Sequence, residues 1–114
     1  MSIFERNPIF TTTTPWPKVP QVTLFRDTWD EHIIKQHVHM AGQELQVRAV
    51  ASNPTLIVPG TSNPDYVIYV SDSVTTTSGT PLAVIINPQE KLIVSAYYNR
   101  SLRVVVAGQS LWSR

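Results

Sequence analysis

Apolar and polar residues alternate in Gln21-Val22-Thr23-Leu24-Phe25, the period of a half-buried strand. Asp27-Thr28 comes next with the chemistry of a helix N-cap, and Asp30 and Glu31 fall in the first turn, where the helix dipole favours acids. The period then lengthens. At about 100° per residue, Trp29, Ile33, His37 and Met40 gather along one face. A helix over residues 28–40 is expected, stopped near Gly42. Residues 44–51 read as a second helix, closed by Asn53-Pro54.

After residue 54 the pattern changes again. Segments 55–58, 65–70, 82–86, 92–98 and 102–106 are rich in Val, Ile and Tyr. Pro59-Gly60, Asn63-Pro64, Ser78-Gly79-Thr80-Pro81 and Asn87-Pro88 separate them as turn formers. Asn87-Pro88-Gln89-Glu90 and Asn99-Arg100-Ser101 suit hairpin loops, and the polar stretch 71–80 reads as a surface loop. Helices ahead of an antiparallel meander give an α+β fold. Residues 1–20 contain Thr11-Thr12-Thr13-Thr14-Pro15-Trp16-Pro17, which excludes a helix and predicts an extended arm ahead of a single domain over residues 21–114. Phe4, Ile9, Phe10 and Trp16 give that arm an apolar side, to be buried on its own domain or on a second copy or other partner.

Composition narrows the function. At 114 residues, 42% hydrophobic and 15% charged, the chain has the size and balance of one folded domain. It contains no cysteine, which removes thiolate catalysis, disulfides and cysteine-held metals together. No run is long enough for a membrane helix, and the N-terminus lacks the pattern of a signal peptide, so a cytoplasmic protein is expected. The net charge is only +1, so attraction to nucleic acid must come from a local site.

All three histidines, His32, His37 and His39, lie in the first predicted helix. Metal-binding histidines on one helix favour spacing i, i+4, and the spacings here are five, two and seven. No metal site and no cofactor are expected from them. On an ideal helix His32 and His37 flank the buried stripe from opposite borders, with Lys35 pointing outward. Two readings then stand: acid–base catalysis, to which histidine is suited near neutral pH, and border residues hydrogen-bonded to nearby backbone.

A second cluster lies in Val94-Ser95-Ala96-Tyr97-Tyr98-Asn99-Arg100. On a regular strand Ser95 and Tyr97 share one face, with Val94, Ala96 and Tyr98 on the other, and Arg100 lies just past the end. Hydroxyl, phenol and guanidinium together can hold a phosphate, although a Tyr-rich strand with ordinary cross-strand pairing explains the same residues. No P-loop, Gly-x-Gly-x-x-Gly fingerprint or Gly-x-Ser-x-Gly elbow is present.

The order Trp29-x-x-His32-Ile33-x-x-x-His37, then Leu82-Ala83-Val84-Ile85-Ile86, then Leu92-Ile93-Val94-Ser95-Ala96-Tyr97 resembles the phage-type nuclease-like domains grouped with barnase, EndoU, colicin and RelE toxins. The resemblance spans roughly residues 22–106. It implies helices packed on a curved antiparallel sheet and metal-independent RNA cleavage by the ribose 2′-hydroxyl. Carried onto this chain, it implies acid–base roles for His32 and His37, and phosphate orientation by Ser95, in place of the usual threonine, and Tyr97. Lys35 or Arg100 would neutralise charge. RNA would be the substrate and a cognate inhibitor protein a partner. The chain departs from the family in Val38-His39, where Pro-Glu is common, and in its N-terminal arm. A different class of function is a non-catalytic interaction module whose arm makes oligomer or partner contacts.

Overall fold

The computed structural model describes residues 7–61, 63–100 and 110–114. They form a curled seven-stranded sheet with two helices packed on it, an α+β architecture. The strands are β1 (Pro8–Thr13), β2 (Gln21–Phe25), β3 (Leu56–Pro59), β4 (Val67–Thr75), β5 (Pro81–Asn87), β6 (Leu92–Tyr98) and β7 (Trp112–Ser113). Their order across the sheet is β1-β2-β6-β5-β4-β3-β7. The two helices carry the chain from β2 to β3, and the meander β3-β4-β5-β6 then returns to β2. Every pairing is antiparallel except β2 with β6, which meet only at Thr23 and Leu92.

Because side chains alternate across a strand, the ladder registers sort the residues into two faces. Ala96, Val84, Tyr69 and Ile57 stand in one row, and the face they share is the one the helices cover. Trp29, Ile33 and Met40 from the first helical region and Val47, Val50 and Ala51 from the second complete this core. The opposite face carries a smaller cluster of Val58, Ile68, Val70 and Ala83, with Ile85 packed against it.

The N-terminal stretch is extended, and it is built into the sheet. β1 pairs with β2, Phe10, Trp16 and Val19 enter the main core, and the Tyr69 hydroxyl donates to Thr14 Oγ1 at 3.1 Å. β4 runs on through Thr75, so half of the expected 71–80 loop is strand; its added residues are partly exposed, which is why their polarity resembled a loop. The expected strand over 102–106 lies outside the described residues, as do Phe4 and Ser101. No helix among the described residues is long and apolar enough to cross a membrane.

Candidate functional site

The first helix departs from the expected one at both ends. It starts at Arg26, one residue ahead of the expected Asp27-Thr28 cap, with Phe25 in the N-cap position; Asp27 Oδ1 instead accepts the Thr28 N–H at 2.9 Å. It runs through Arg26–Thr28, a π-helical stretch Trp29–Ile33 and Ile34–Gln36. The wide turn is visible in the Ile34 N–H bonding to the Trp29 carbonyl. Such bulges insert a residue without ending the helix and rotate the turns beyond them, so the ideal-helix placement of the histidines does not apply.

His37 ends the helix. Its N–H still reaches the Ile33 carbonyl at 2.8 Å, but its own backbone, at φ −135° and ψ 74°, leaves the helical region. A single 3₁₀ turn, Val38–Met40, comes next and returns Met40 to the core. The physical reason for the early stop is the surroundings of the side chains: Val38 and His39 are exposed, and only Met40 has an apolar place to go. His32, expected at a border of the buried face, is exposed, and His37 is half-buried.

This break places His37 and His39 against β6. Past Leu92 the β6 edge has no ladder contact with β2, and the chain after the first helix lies along it. The His37 ring stacks on Tyr97, centroids 4.7 Å apart and planes 24° apart. His39 lies tilted toward Tyr98 at 6.2 Å, and the two histidine rings are 6.1 Å apart, edge to face. Tyr97 and Tyr98 point to opposite sheet faces, so His37 and His39 straddle the edge of the strand. Tyr98 is held on its side by donating to Gln43 Oε1 at 3.0 Å.

Ser95 and Tyr97 do share a face, standing opposite Ile85 and Ala83. Val94 breaks the alternation. Ile93 pairs with Ile86 and Ser95 with Ile85, so Val94 is the extra residue of a β-bulge. It is thereby turned from the packing face expected for it toward the same cavity as Ser95.

That cavity has a volume of about 520 Å³ and opens on the sheet face away from the second helix. His32, Gln36 and His37 line it from the helix, and Val94, Ser95 and Tyr97 from β6. Ile68 and Ile85 form its floor. Gly60, Thr61, Asn63 and Tyr66 close the far side. The structure thus brings His32, His37, Ser95 and Tyr97 together around one open space. Lys35 and Arg100 are exposed and line no part of it, so their charges act on the cavity only from outside.

Burial, then the charges of His39 and His32, hold the His37 pKa below the ordinary histidine value. His37 is accordingly neutral at neutral pH and able to accept a proton. Among the described residues no group of three His, Asp or Glu side chains could hold a metal ion.

Gln36, Thr61, Asn63 and Tyr66 are site residues that the sequence does not single out. Pro59-Gly60 and Asn63-Pro64 are legible only as turns, and nothing in their spacing tells that the turn closes a cavity. Gly60 is the one local signal. A Cβ there would meet the Asn63 and Tyr66 carbonyl oxygens at 2.3 and 2.9 Å, so the tight loop requires glycine. Comparison of the chain with protein-family models, with curated proteins and with solved structures finds no match in any of the three.

Proposed function

We propose that the cavity is the active site of a metal-independent ribonuclease of the toxin or phage type. One observation carries the reading: two histidines from the helix and Ser95 and Tyr97 from β6, distant in sequence, line one open cavity. His37, neutral and braced by Tyr97, takes the proton of a ribose 2′-hydroxyl. The oxygen attacks the adjacent phosphorus, and the bond to the 5′-oxygen breaks. A protonated His32 delivers the proton that the leaving oxygen needs. The products are a 2′,3′-cyclic phosphate and a free 5′-hydroxyl, so atoms and charge balance without a metal.

Ser95 and Tyr97 orient the phosphate by donating hydrogen bonds to its oxygens. With Lys35 and Arg100 outside the cavity, the positive charge beside the phosphate falls to the protonated histidine, and the two cations guide the RNA backbone toward it. In this reading the enzyme acts in the cytoplasm, and a cognate inhibitor protein would have to cover this opening.

The test is cleavage of a mixed RNA pool in the presence of EDTA, with product ends identified. Cyclic-phosphate ends are expected from the wild type, with losses of about 10²–10⁴-fold in His32→Ala and His37→Ala. Absence of cleavage by the wild type, or full activity in both variants, would overturn the assignment.

A further inference from the structure

A separate recess lies across β6 from the cavity of the histidines and Ser95. Its volume is about 620 Å³. Val74 and Tyr98, which line it, pack against the main core, so it opens on the helix side of the sheet. Three segments meet there. His39, Gln43 and Gln46 come from the 3₁₀ turn, the N-cap and the first turn of the second helix, Glu44–Ser52. Residues 73–77 come from the end of β4 and the turn after it, and Tyr98 from the end of β6. Because Tyr97 and Tyr98 point to opposite sheet faces, the strand itself divides the recess from the cavity, and no residue lines both.

The lining selects against most ligand classes. Among the described residues it holds no Lys, Arg, Asp or Glu, so no fixed charge would neutralise a phosphate, a carboxylate or an amine. Val74 is its one aliphatic side chain, whereas sites for apolar ligands are lined mostly by hydrophobic groups. Hydroxyls, two carboxamides, an imidazole and a phenol make up the rest. Part of this set is held in place. The Tyr98 hydroxyl donates to Gln43 Oε1 at 3.0 Å, which leaves the Gln43 NH2 to donate elsewhere. Thr76 Oγ1 lies 2.9 Å from Ser78 Oγ and accepts the Thr80 N–H at 3.0 Å, which sets the turn. The side chains of Gln46 and Thr77 are exposed and hydrogen-bond to no other described residue.

We propose that this recess binds a neutral saccharide, with Gln43, Gln46 and Thr77 bonding to its hydroxyls and Tyr98 lying against a sugar ring. A pyranose carries around its edge hydroxyls that both donate and accept, the same double capacity that threonine hydroxyls and glutamine carboxamides offer. Its C–H faces are apolar enough to rest on a phenol ring, which supplies contact area without charge. The recess falls within the roughly 300–1,000 Å³ usual for small-ligand sites. The site is independent of the ribonuclease reading. Its occupancy would register first at His39, whose ring lies 6.2 Å from that of Tyr98.

The experiment is NMR titration of the isotope-labelled intact protein with glucose, galactose, N-acetylglucosamine, maltose and cellobiose. Inorganic phosphate and a capped Gly-Ser peptide serve as competing ligand classes. At least one sugar is expected to give saturable shifts at the Gln43 and Gln46 carboxamides, Thr77 and the His39 ring, with His32 and Ser95 unmoved. Gln46→Ala and Thr77→Val should each weaken binding about two- to tenfold, the loss of one uncharged hydrogen bond, and Thr77→Ser should restore it. Both positions are exposed, so these variants keep the fold, and their own spectra verify it. Tighter binding of the disaccharides than of the monosaccharides would mark a glycan chain as the source, and equal binding a free sugar; either supports the site. Four results overturn the proposal: no shift with any sugar, shifts centred on His32 and Ser95, phosphate or peptide held in the recess as tightly as the sugars, or wild-type binding in both Gln46→Ala and Thr77→Val.

Discussion

His37 joins the helix end, the strand edge and the cavity, and its titration reports on all three. Its native pKa lies below 6.5, through burial first and then through His39 and His32. In the unfolded chain these influences vanish, so the unfolded state takes up the proton first as the pH falls. Above about pH 6.5 the group contributes no pH dependence. Stability then drops as the pH falls from there to the native pKa, below which the penalty is complete. Urea titrations across this window should show the slope, and His37→Gln should flatten it. His39→Gln removes one of the two like charges, so the His37 midpoint followed by NMR should move up toward 6.5. A midpoint that stays in place would mean that the His39 charge takes no part in setting it. In the proposed ribonuclease, the acid limb of the cleavage rate should move with that midpoint, because His37 would accept the proton only when neutral.

Two turns decide how the strands present the site. At the β5–β6 turn Asn87 Oδ1 accepts the N–H groups of Gln89 and Glu90, and Lys91 closes the turn with φ 59°. A non-glycine residue there carries backbone strain, so Lys91→Gly should stabilise the protein by about 0.5–1 kcal/mol in chemical denaturation. A lower midpoint would show that Lys91 makes compensating contacts. At the β3–β4 turn the sign is reversed. Gly60→Ala forces its new methyl group against two carbonyl oxygens, and a loss of about 1–3 kcal/mol is expected. The Val94 bulge is the third device at this scale. It alters the pleat of β6 for one residue and leaves Ser95 and Tyr97 opposite Ile85 and Ala83 on the cavity face.

Across the molecule, the N-terminal strand contributes to the core. Trp16 is 8% exposed and belongs to the main cluster, and Thr14 receives the Tyr69 hydroxyl from the middle of β4. Trp16→Ala should therefore cost about 3–5 kcal/mol by urea denaturation. Removing residues 1–17 would strip the edge strand and part of the core together, so loss of assembly in that truncation would not by itself identify a partner surface. Sedimentation of the intact chain and of Trp16→Ala at equal concentration separates the two effects. A shift in mass without loss of stability would assign Trp16 to an interface between copies.

The period-two and helical patterns of Val22 to Phe25, Trp29 to Ile33 and Val47 to Ala51 sufficed to place strand, helix and helix, because local burial tracks local spacing. The α+β order came from the Val- and Tyr-rich second half. Ser95 and Tyr97 could be put on one face, since alternation along a strand is a short-range property. Other features depended on contacts between distant segments. The helix ends at His37 where Tyr97, sixty positions away, offers its ring a stacking partner, and no local propensity encodes that. The bulge at Val94 needs the register of β5, and the cavity needs a loop that reads in isolation as two turn dipeptides. The histidine-rich segment showed where chemistry was concentrated. How His37 and His39 are aimed was set by the edge of β6 beyond its one pairing with β2, a property of strand order that no single segment contains.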